Sequence, residues 1–297
     1  MLWHRSCGGR LRWHNRAFTA GQRWEPTDRG SRLVWPGRGI LDARSVDSLP
    51  RQGDTACILA SGPSVGRMHG LERLFDQPVA CVNGSVCLAR DLGRRVPYFI
   101  VSDHRFILEK PDLFRLGTSL ADAVVLTPMT AFTAMLLTPE ALTADIFFIH
   151  EDLRRPFKRP RQSRTELLGD PHVIAHPSHD VCFSLDPRRG IWPSGTVVYD
   201  AIQLLFGIGY RELYMFGVDL SDGPRFYREG VASPSELSAD YAPAILPAFE
   251  LVHDYLRRTG RTLVNASLES RLPEEVIPKA DGDAVLDLLA GRRGSQA

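Results

Sequence analysis

Short apolar runs recur between residues 55 and 266, and polar turns or amphipathic stretches separate them. Apolar runs bounded by turn residues predict buried strands, and apolar positions spaced three or four apart predict helices. The predicted strands are 55–60, 78–82, 98–102, 123–127, 145–150, 212–216 and 262–266. The predicted helices run from the turn at 61–64 to residue 75, from 83–85 to residue 92, and over 130–137, 197–208 and 242–258, with a short, fraying helix after residue 281.

The alternation of these elements predicts an α/β fold. Strand, short polar turn, helix and strand in succession are typical of a parallel sheet with helices on both faces. We therefore expect a doubly wound, mostly parallel, Rossmann-like sheet over residues 53–280, followed by a tail at 281–297. Arginines and lysine crowd into residues 151–164 and interrupt the alternation. This basic loop is either a solvated connection or a cationic lip for an anionic acceptor.

Residues 1–52 differ from the rest because they show neither helical nor strand periodicity. They are rich in tryptophan, arginine and glycine. One interpretation is an irregular extension, disordered or loosely packed. The other is a membrane-surface anchor, since tryptophan favours the lipid interface and arginine favours anionic lipid.

Composition and charge narrow the function classes. A chain of 297 residues with 43% hydrophobic residues is typical of a soluble globular protein with a sizeable core. A net charge of +1 supplies no global field for nucleic acid. The five cysteines follow no metal-binding spacing, which favours reduced, structural thiols in a cytoplasmic protein. No apolar run is long enough to span a bilayer, and the N-terminus lacks the apolar region of a secretory signal.

Polar turns follow four of the predicted strands, at 61–64, 83–85, 102–105 and 217–219. The carboxyl ends of parallel strands lie along one edge, where ligands of open α/β sheets bind. The turn at 194–196 joins them if its helix points its N-terminus at the same crevice. The candidate ligand-binding residues are Gly62, Pro63, Ser64, Asn83, Gly84, Ser85, Ser194, Gly195, Thr196, Gly217 and Asp219.

These turns differ in the ligand chemistry they favour. The Gly/Ser loop at 61–64 opens a predicted helix, whose free N–H groups and dipole suit a phosphate, although it is neither a Walker loop nor a GxGxxG loop. Asn83 and residues 194–196 offer amide and hydroxyl groups that suit a ribose, a pyrimidine or a sugar carboxylate. Asp219 could accept hydrogen bonds from sugar hydroxyls, or could only cap a helix.

The loop at 220–241 carries the groups with the most catalytic chemistry. Arg225 and Tyr227 could stabilise a leaving phosphate, where negative charge grows in the transition state. Glu236 could act as general base toward an acceptor hydroxyl, with Asp103 as the second choice. The structural alternatives are a surface ion pair for Arg225 and a core-edge ring for Tyr227.

A metal site is not expected. His172, His176, His179 and Asp180 lie close together in the sequence, but their spacing matches no zinc motif, and two prolines argue against a shared helix face. No GxSxG elbow is present, so acyl hydrolysis has no support either.

Five segments resemble the lipopolysaccharide core Kdo transferases of the WaaZ/RfaZ type, in order and in approximate spacing. They are 81–86 (CVNGSV), 102–106 (SDHRF), 217–220 (GVDL), 224–227 (PRFY) and 234–238 (PSELS). The similarity runs from about residue 55 to about residue 278. More distantly, the chain is similar to bacterial sialyltransferases that use CMP-sialic acid, through 62–64, Asn83, 194–195 and 217–219. Kdo and sialic acid are both 2-keto sugar acids activated as CMP esters, so the resemblance implies a CMP pocket.

The resemblance implies an inverting, CMP-sugar-dependent glycosyltransferase with a glycosyltransferase variant of the Rossmann-like sheet. It would add Kdo or a related acid to the lipopolysaccharide inner core, on the cytoplasmic side and peripheral to the inner membrane, without a metal cofactor. The sialyltransferases use a histidine base after the Gly-x-Asp strand; this chain has no histidine between residues 219 and 251, and Glu236 is the substitute. Two alternatives stay open: a pterin diphosphokinase-like enzyme using ATP and Mg²⁺, and a non-enzymatic envelope-assembly protein.

Overall fold

The computed structural model describes residues 23–37, 39–149, 167–228 and 237–294. Its strands are β1 Arg23–Thr27, β2 Gly30–Trp35, β3 Gly39–Arg44, β4 Thr55–Leu59, β5 Val79–Val82, β6 Val96–Val101, β7 Ala121–Leu126, β8 Asp145–Phe148, β9 Val173–Ala175, β10 Cys182–Ser184, β11 Glu212–Phe216 and β12 Thr262–Asn265. The main sheet has the order β1-β2-β3-β8-β7-β6-β5-β4-β11-β12, and β9 pairs with β10 separately.

The main sheet is parallel from β3 to β12 and antiparallel among β1, β2 and β3. The chain leaves β4 toward β8 on one side and later returns to pair β11 with the other side of β4. The strand order therefore reverses between β4 and β11, which is where such sheets open a crevice. The mostly parallel α/β fold predicted from the sequence is confirmed.

Helices cover both faces of the sheet. They are α1 Val86–Asp91, α2 His104–Glu109, α3 Pro111–Leu120, α4 Pro128–Leu137, α5 Val197–Gly207, α6 Leu237–Asp240, α7 Leu246–Thr259 and α8 Gly282–Gly294, and a π-helical turn, Tyr241–Ile245, joins α6 to α7. Within the described ranges, no helix combines the length and apolarity needed for a bilayer span.

Each central strand contributes to two cores. On β4, Ala56 and Ile58 pack with α5 and α7, whereas Cys57 and Leu59 pack with α1 to α4 and α8. Successive side chains of a strand point to opposite faces, so a strand covered on both sides must be apolar throughout. This double burial explains the unbroken apolar runs of the sequence.

The segment after β4 differs from its prediction. The sequence favours a helix to residue 75, but the chain forms two 3-10 turns, Pro63–Arg67 and Leu71–Asp76. Gly70 between them has a φ of 68°, a left-handed conformation that an α-helix interior does not accommodate. The phosphate-binding argument for this segment therefore lacks the helix N-terminus on which it depended.

Two terminal segments also differ from their predictions. Residues 23–44 lie in the stretch predicted to be irregular, yet β1 to β3 continue the main sheet, with Leu33 and Leu41 buried. The strands of this ribbon are only partly covered, so their sequence lacks an apolar run. The helix after residue 281 was expected to fray, but Val285, Leu286 and Leu289 are buried in the core. The rest of the extension, residues 1–22, and the basic loop at 151–164 lie outside the described residues.

Candidate functional site

A crevice with a volume of about 630 Å³ lies at the carboxyl ends of β4, β5, β6 and β11, beside the start of α5. It occupies the place where the strand order reverses. Four of the predicted turns contribute to its lining, at residues 61–63, 83, 102–105 and 217–219, and residues 194–196 join them. The structure thus brings together most of the candidate residues that the sequence singled out.

The floor of the crevice requires glycine at two positions. A Cβ on Gly62 would lie 2.3 Å from Asp219 Oδ2 and 2.5 Å from the Gly217 carbonyl oxygen. Gly217 has a φ of 70°, and a Cβ there would lie 2.5 Å from the Ala60 carbonyl oxygen. The turns after β4 and β11 therefore touch backbone to backbone.

Asp219 connects the turn after β11 to the turn after β4 through hydrogen bonds of its carboxylate. It is 5% exposed; its Oδ2 accepts a hydrogen bond from the Ser64 N–H at 2.8 Å, and its Oδ1 accepts one from the Ser267 hydroxyl. Both carboxylate oxygens thus have partners within the protein. Ser64 itself lines a separate cavity of about 150 Å³ with Arg67 and Ser267, not the main crevice.

Asn83 and Ser194 present polar atoms to the crevice that have no hydrogen-bond partner among the described residues. These atoms are Asn83 Oδ1 and Ser194 Oγ, and both are buried. Asn83 has a φ of 50°, a left-handed conformation that asparagine tolerates better than most residues. A buried polar atom without a partner costs stability, so such atoms at a crevice favour a ligand that supplies the missing bond.

Ser85 and Gly84 contact other groups of the protein and do not line the crevice. The Ser85 hydroxyl donates to the Leu59 carbonyl at 2.6 Å and accepts the Val82 N–H at 3.0 Å, and its side chain is fully buried. A Cβ on Gly84 would lie 1.9 Å from the Tyr227 hydroxyl oxygen, so the ring packs directly on this glycine. These contacts hold Tyr227 at the crevice wall.

Arg225 reaches across the crevice to the turn after β4. Its Nη1 donates to the Ser61 hydroxyl at 3.0 Å, and the Phe226 N–H donates to the Ser61 carbonyl at 3.2 Å. The described part of the predicted loop is therefore attached to the crevice through Ser61. Glu236, the predicted base, lies outside the described residues.

Asp103 lines the crevice and caps α2. Its Oδ1 accepts the Arg105 N–H at 3.0 Å, and the Arg105 guanidinium lies 3.4 Å away. Thr196 similarly caps α5 by accepting the Val198 N–H. Asp103 and Thr196 thus each begin a helix at the edge of the crevice.

The crevice lining also contains titratable residues that were not among the predicted site residues, and His104, Asp200 and Asp240 are three of them. Asp200 is 2% exposed and accepts a hydrogen bond from the Ser102 hydroxyl at 2.5 Å. It lies in the first turn of a mostly apolar helix, a position that the sequence shows. Asp240 gives no comparable signal because its neighbours are mostly polar or small.

The histidine cluster has structural contacts. His176 Nε2 lies 3.2 Å from Glu250 Oε2, and its Nδ1 accepts the backbone N–H groups of Ser178 and His179 at 3.1 Å. In the part of the chain that the structure describes, no group of histidine, cysteine and acidic side chains could hold a metal ion.

Comparison with known proteins gives one distant sequence relative. No family model matches the chain. The chain is 26% identical, over 254 residues, to a probable 3-deoxy-manno-octulosonic acid transferase of Escherichia coli K12, covering 80% of the chain and 87% of that protein. Among solved structures, it is similar to the MAf glycosyltransferase of Magnetospirillum magneticum AMB-1, with a TM-score of 0.41 and 12% identity, over 83% of the chain but only 38% of that protein. Through its sequence relative, the chain is glycosyltransferase-like.

Proposed function

We propose that this protein is an inverting, CMP-sugar-dependent glycosyltransferase that adds Kdo, or a related 2-keto sugar acid, to the lipopolysaccharide inner core. The observation that carries the proposal is the crevice at the strand-order reversal, where Asn83 and Ser194 present buried polar atoms without partners. Its volume of about 630 Å³ suits a nucleotide sugar. The similarity to a probable transferase of this acid supports the choice of donor.

Asn83, Ser194 and Gly195 would bind the nucleotide or the sugar. Arg225 and Tyr227 would face the phosphate, because a guanidinium and a phenol can stabilise the charge that grows as CMP leaves. Arg105 and Lys110 also line the crevice and would attract an anionic acceptor at the cytoplasmic surface of the inner membrane. These donors can stabilise the leaving phosphate without a metal ion.

A nucleotide panel and a transfer assay test the proposal together. We expect CMP to raise the melting temperature more than other nucleotides do, and CMP-Kdo to glycosylate a Kdo-lipid A acceptor. A stabilisation that needs both ATP and Mg²⁺ would instead favour the pterin diphosphokinase-like alternative. Binding of lipopolysaccharide without CMP would favour the non-enzymatic one.

Ser194→Ala tests the ligand role of the unpartnered hydroxyl. We expect a loss in CMP affinity of about five- to thirtyfold, since one hydrogen bond to a ligand contributes about 1–2 kcal/mol. Folding stability should stay within about 0.5 kcal/mol, because the hydroxyl has no partner among the described residues. Calorimetric titration with CMP and thermal unfolding are the two measurements.

Ser184→Ala is the matched control. Ser184 is equally buried, but its hydroxyl donates to the Gly190 carbonyl at 2.6 Å and also lies 3.1 Å from the Asp186 carbonyl oxygen. This variant should lose stability and keep its CMP affinity. If both serine variants lost stability and neither lost affinity, the ligand role of Ser194 would be excluded.

A further inference from the structure

We propose that Asp240 is the general base that takes the proton from the acceptor hydroxyl. This assignment rests on the proposed function. A base of this kind must face the crevice, and its carboxylate must have a lone pair available for the substrate. Asp240 lines the crevice, is half-buried, and has no hydrogen bond or ion pair with any described residue.

The other acids of the crevice interior already accept hydrogen bonds. Asp219 holds the Ser64 N–H and the Ser267 hydroxyl. Asp103 is engaged by Arg105, and Asp200, whose Oδ2 accepts from Ser102, is only 2% exposed. Glu109 and Asp180 also line the crevice but are exposed.

The Asp240 side chain lies against the turn that begins α5. A Cβ on Gly195 would lie 3.0 Å from the Asp240 Cβ and 3.3 Å from its Oδ2. Gly195, with a φ of 76°, therefore leaves the space that the carboxylate borders, and the adjacent Ser194 Oγ lacks a partner. A sugar held at Ser194 would place its reacting carbon near the carboxylate.

A π-helical turn directs Asp240 into this position. The turn, Tyr241–Ile245, begins directly after Asp240 and contains Pro243, which cannot donate a helical hydrogen bond. Isolated π turns change the direction of side chains and are frequent at functional sites. Two contacts with Arg271 hold the Tyr241 side chain in place. The Tyr241 hydroxyl donates to the Arg271 carbonyl, and the Arg271 guanidinium lies 4.0 Å from the centroid of the Tyr241 ring.

The chemical step is a single displacement. The acceptor oxygen forms a bond to the anomeric carbon while its proton passes to a carboxylate oxygen of Asp240. The bond between that carbon and the CMP phosphate oxygen breaks, and the electron pair leaves with CMP. Asp240 then releases the proton to water, so no further reactant is needed.

Asp240→Asn tests the assignment in the CMP-Kdo transfer assay. We expect kcat to fall by about 10²–10⁴-fold, the usual contribution of a general base, with KM for the donor unchanged within about threefold. CMP affinity should rise by about two- to fivefold at low ionic strength, because a negative charge leaves the crevice, and this gain should shrink in high salt. Asp240→Ser is the second variant, in case the amide does not fold.

Two variants serve as comparisons. Asp254→Asn removes an exposed acid of α7 that is not among the crevice residues, and should change neither kcat nor CMP affinity. Glu236→Gln tests the alternative base: turnover that is lost in this variant and kept in Asp240→Asn would overturn the assignment. Full turnover of Asp240→Asn, or an unchanged CMP affinity, would overturn the assignment while leaving the proposed function standing. A wild-type protein that neither binds CMP nor transfers the sugar would overturn both.

Discussion

Two nearby glycines show how strongly single positions shape the crevice. Gly62 faces Asp219 and the Gly217 carbonyl at distances that no Cβ can occupy, whereas a Cβ on Gly66 would find its nearest neighbour 3.7 Å away. Gly62→Ala should lower the free energy of unfolding by about 1–3 kcal/mol, as overpacking does, and, on the proposed function, weaken CMP binding.

Gly66→Ala supplies the reference for this prediction. Gly66 lies in the 3-10 turn that Gly62 precedes, and its substitution should change the free energy of unfolding by less than about 0.5 kcal/mol. Urea unfolding of both variants measures the difference. Equal stability of the two would show that the turns after β4 and β11 adjust easily to a larger residue.

At this scale the sequence indicated which residues meet, but not what each does. The sequence placed Asn83 and Asp219 at one edge from their positions after strands, and added Ser194 on the condition that its helix points at the same crevice. That Asp219 accepts hydrogen bonds from Ser64, 155 residues earlier, and from Ser267 could not be predicted, because no local pattern reports such partners. Asp240 was missed for the same reason.

At the scale of elements, Arg271 contacts three segments beside the crevice: the turn after β11, α6 and the π-helical turn. Its guanidinium donates to the Leu220 carbonyl and to the Ser238 hydroxyl, and it lies over the Tyr241 ring. Arg271→Met should increase hydrogen exchange over residues 237–245 and lower the free energy of unfolding by about 0.5–1.5 kcal/mol. Arg257→Met, on the exposed side of α7, should leave the exchange of this segment unchanged.

Strands could be predicted from the sequence where both of their faces are buried, and were missed where their faces are only partly buried. The strands β4 to β8, β11 and β12 match the apolar runs because both of their faces are covered. The ribbon β1 to β3 exposes much of its surface, and Ile40 is 61% exposed. The 3-10 turns after β4 depend on glycine conformations that an apolar pattern does not reveal.

At the scale of the whole molecule, the reactivity of the cysteine thiols measures how completely the helices shield the sheet from solvent. Cys57, Cys81, Cys87 and Cys182 are buried, and none forms a disulfide with another described residue. Burial raises the pKa of the Cys57 thiol, and raises that of Cys81 to about 12, so neither forms thiolate near pH 8. A Cys7→Ser variant should therefore react with a disulfide reagent only after unfolding in guanidinium.

Rapid reaction of the folded Cys7→Ser variant would contradict this expectation. It would show that the sheet opens on the timescale of the assay. The reduced, structural role expected for these cysteines from composition depends on this protection, because only the thiolate attacks the reagent.

The pairing of β4 with β11 has a consequence for how the protein is made. Each residue of β4 meets a partner about 157 positions later, as Thr55 meets Glu212. Such distant contacts form late, because a long loop must close before they add stability. During synthesis, one edge of β4 therefore stays unpaired until β11 has left the ribosome. In that state a strand of another chain can pair with the open edge of β4. If the crevice binds CMP as proposed, that binding requires β4 and β11 to have paired. CMP present during refolding should then raise the yield of native protein.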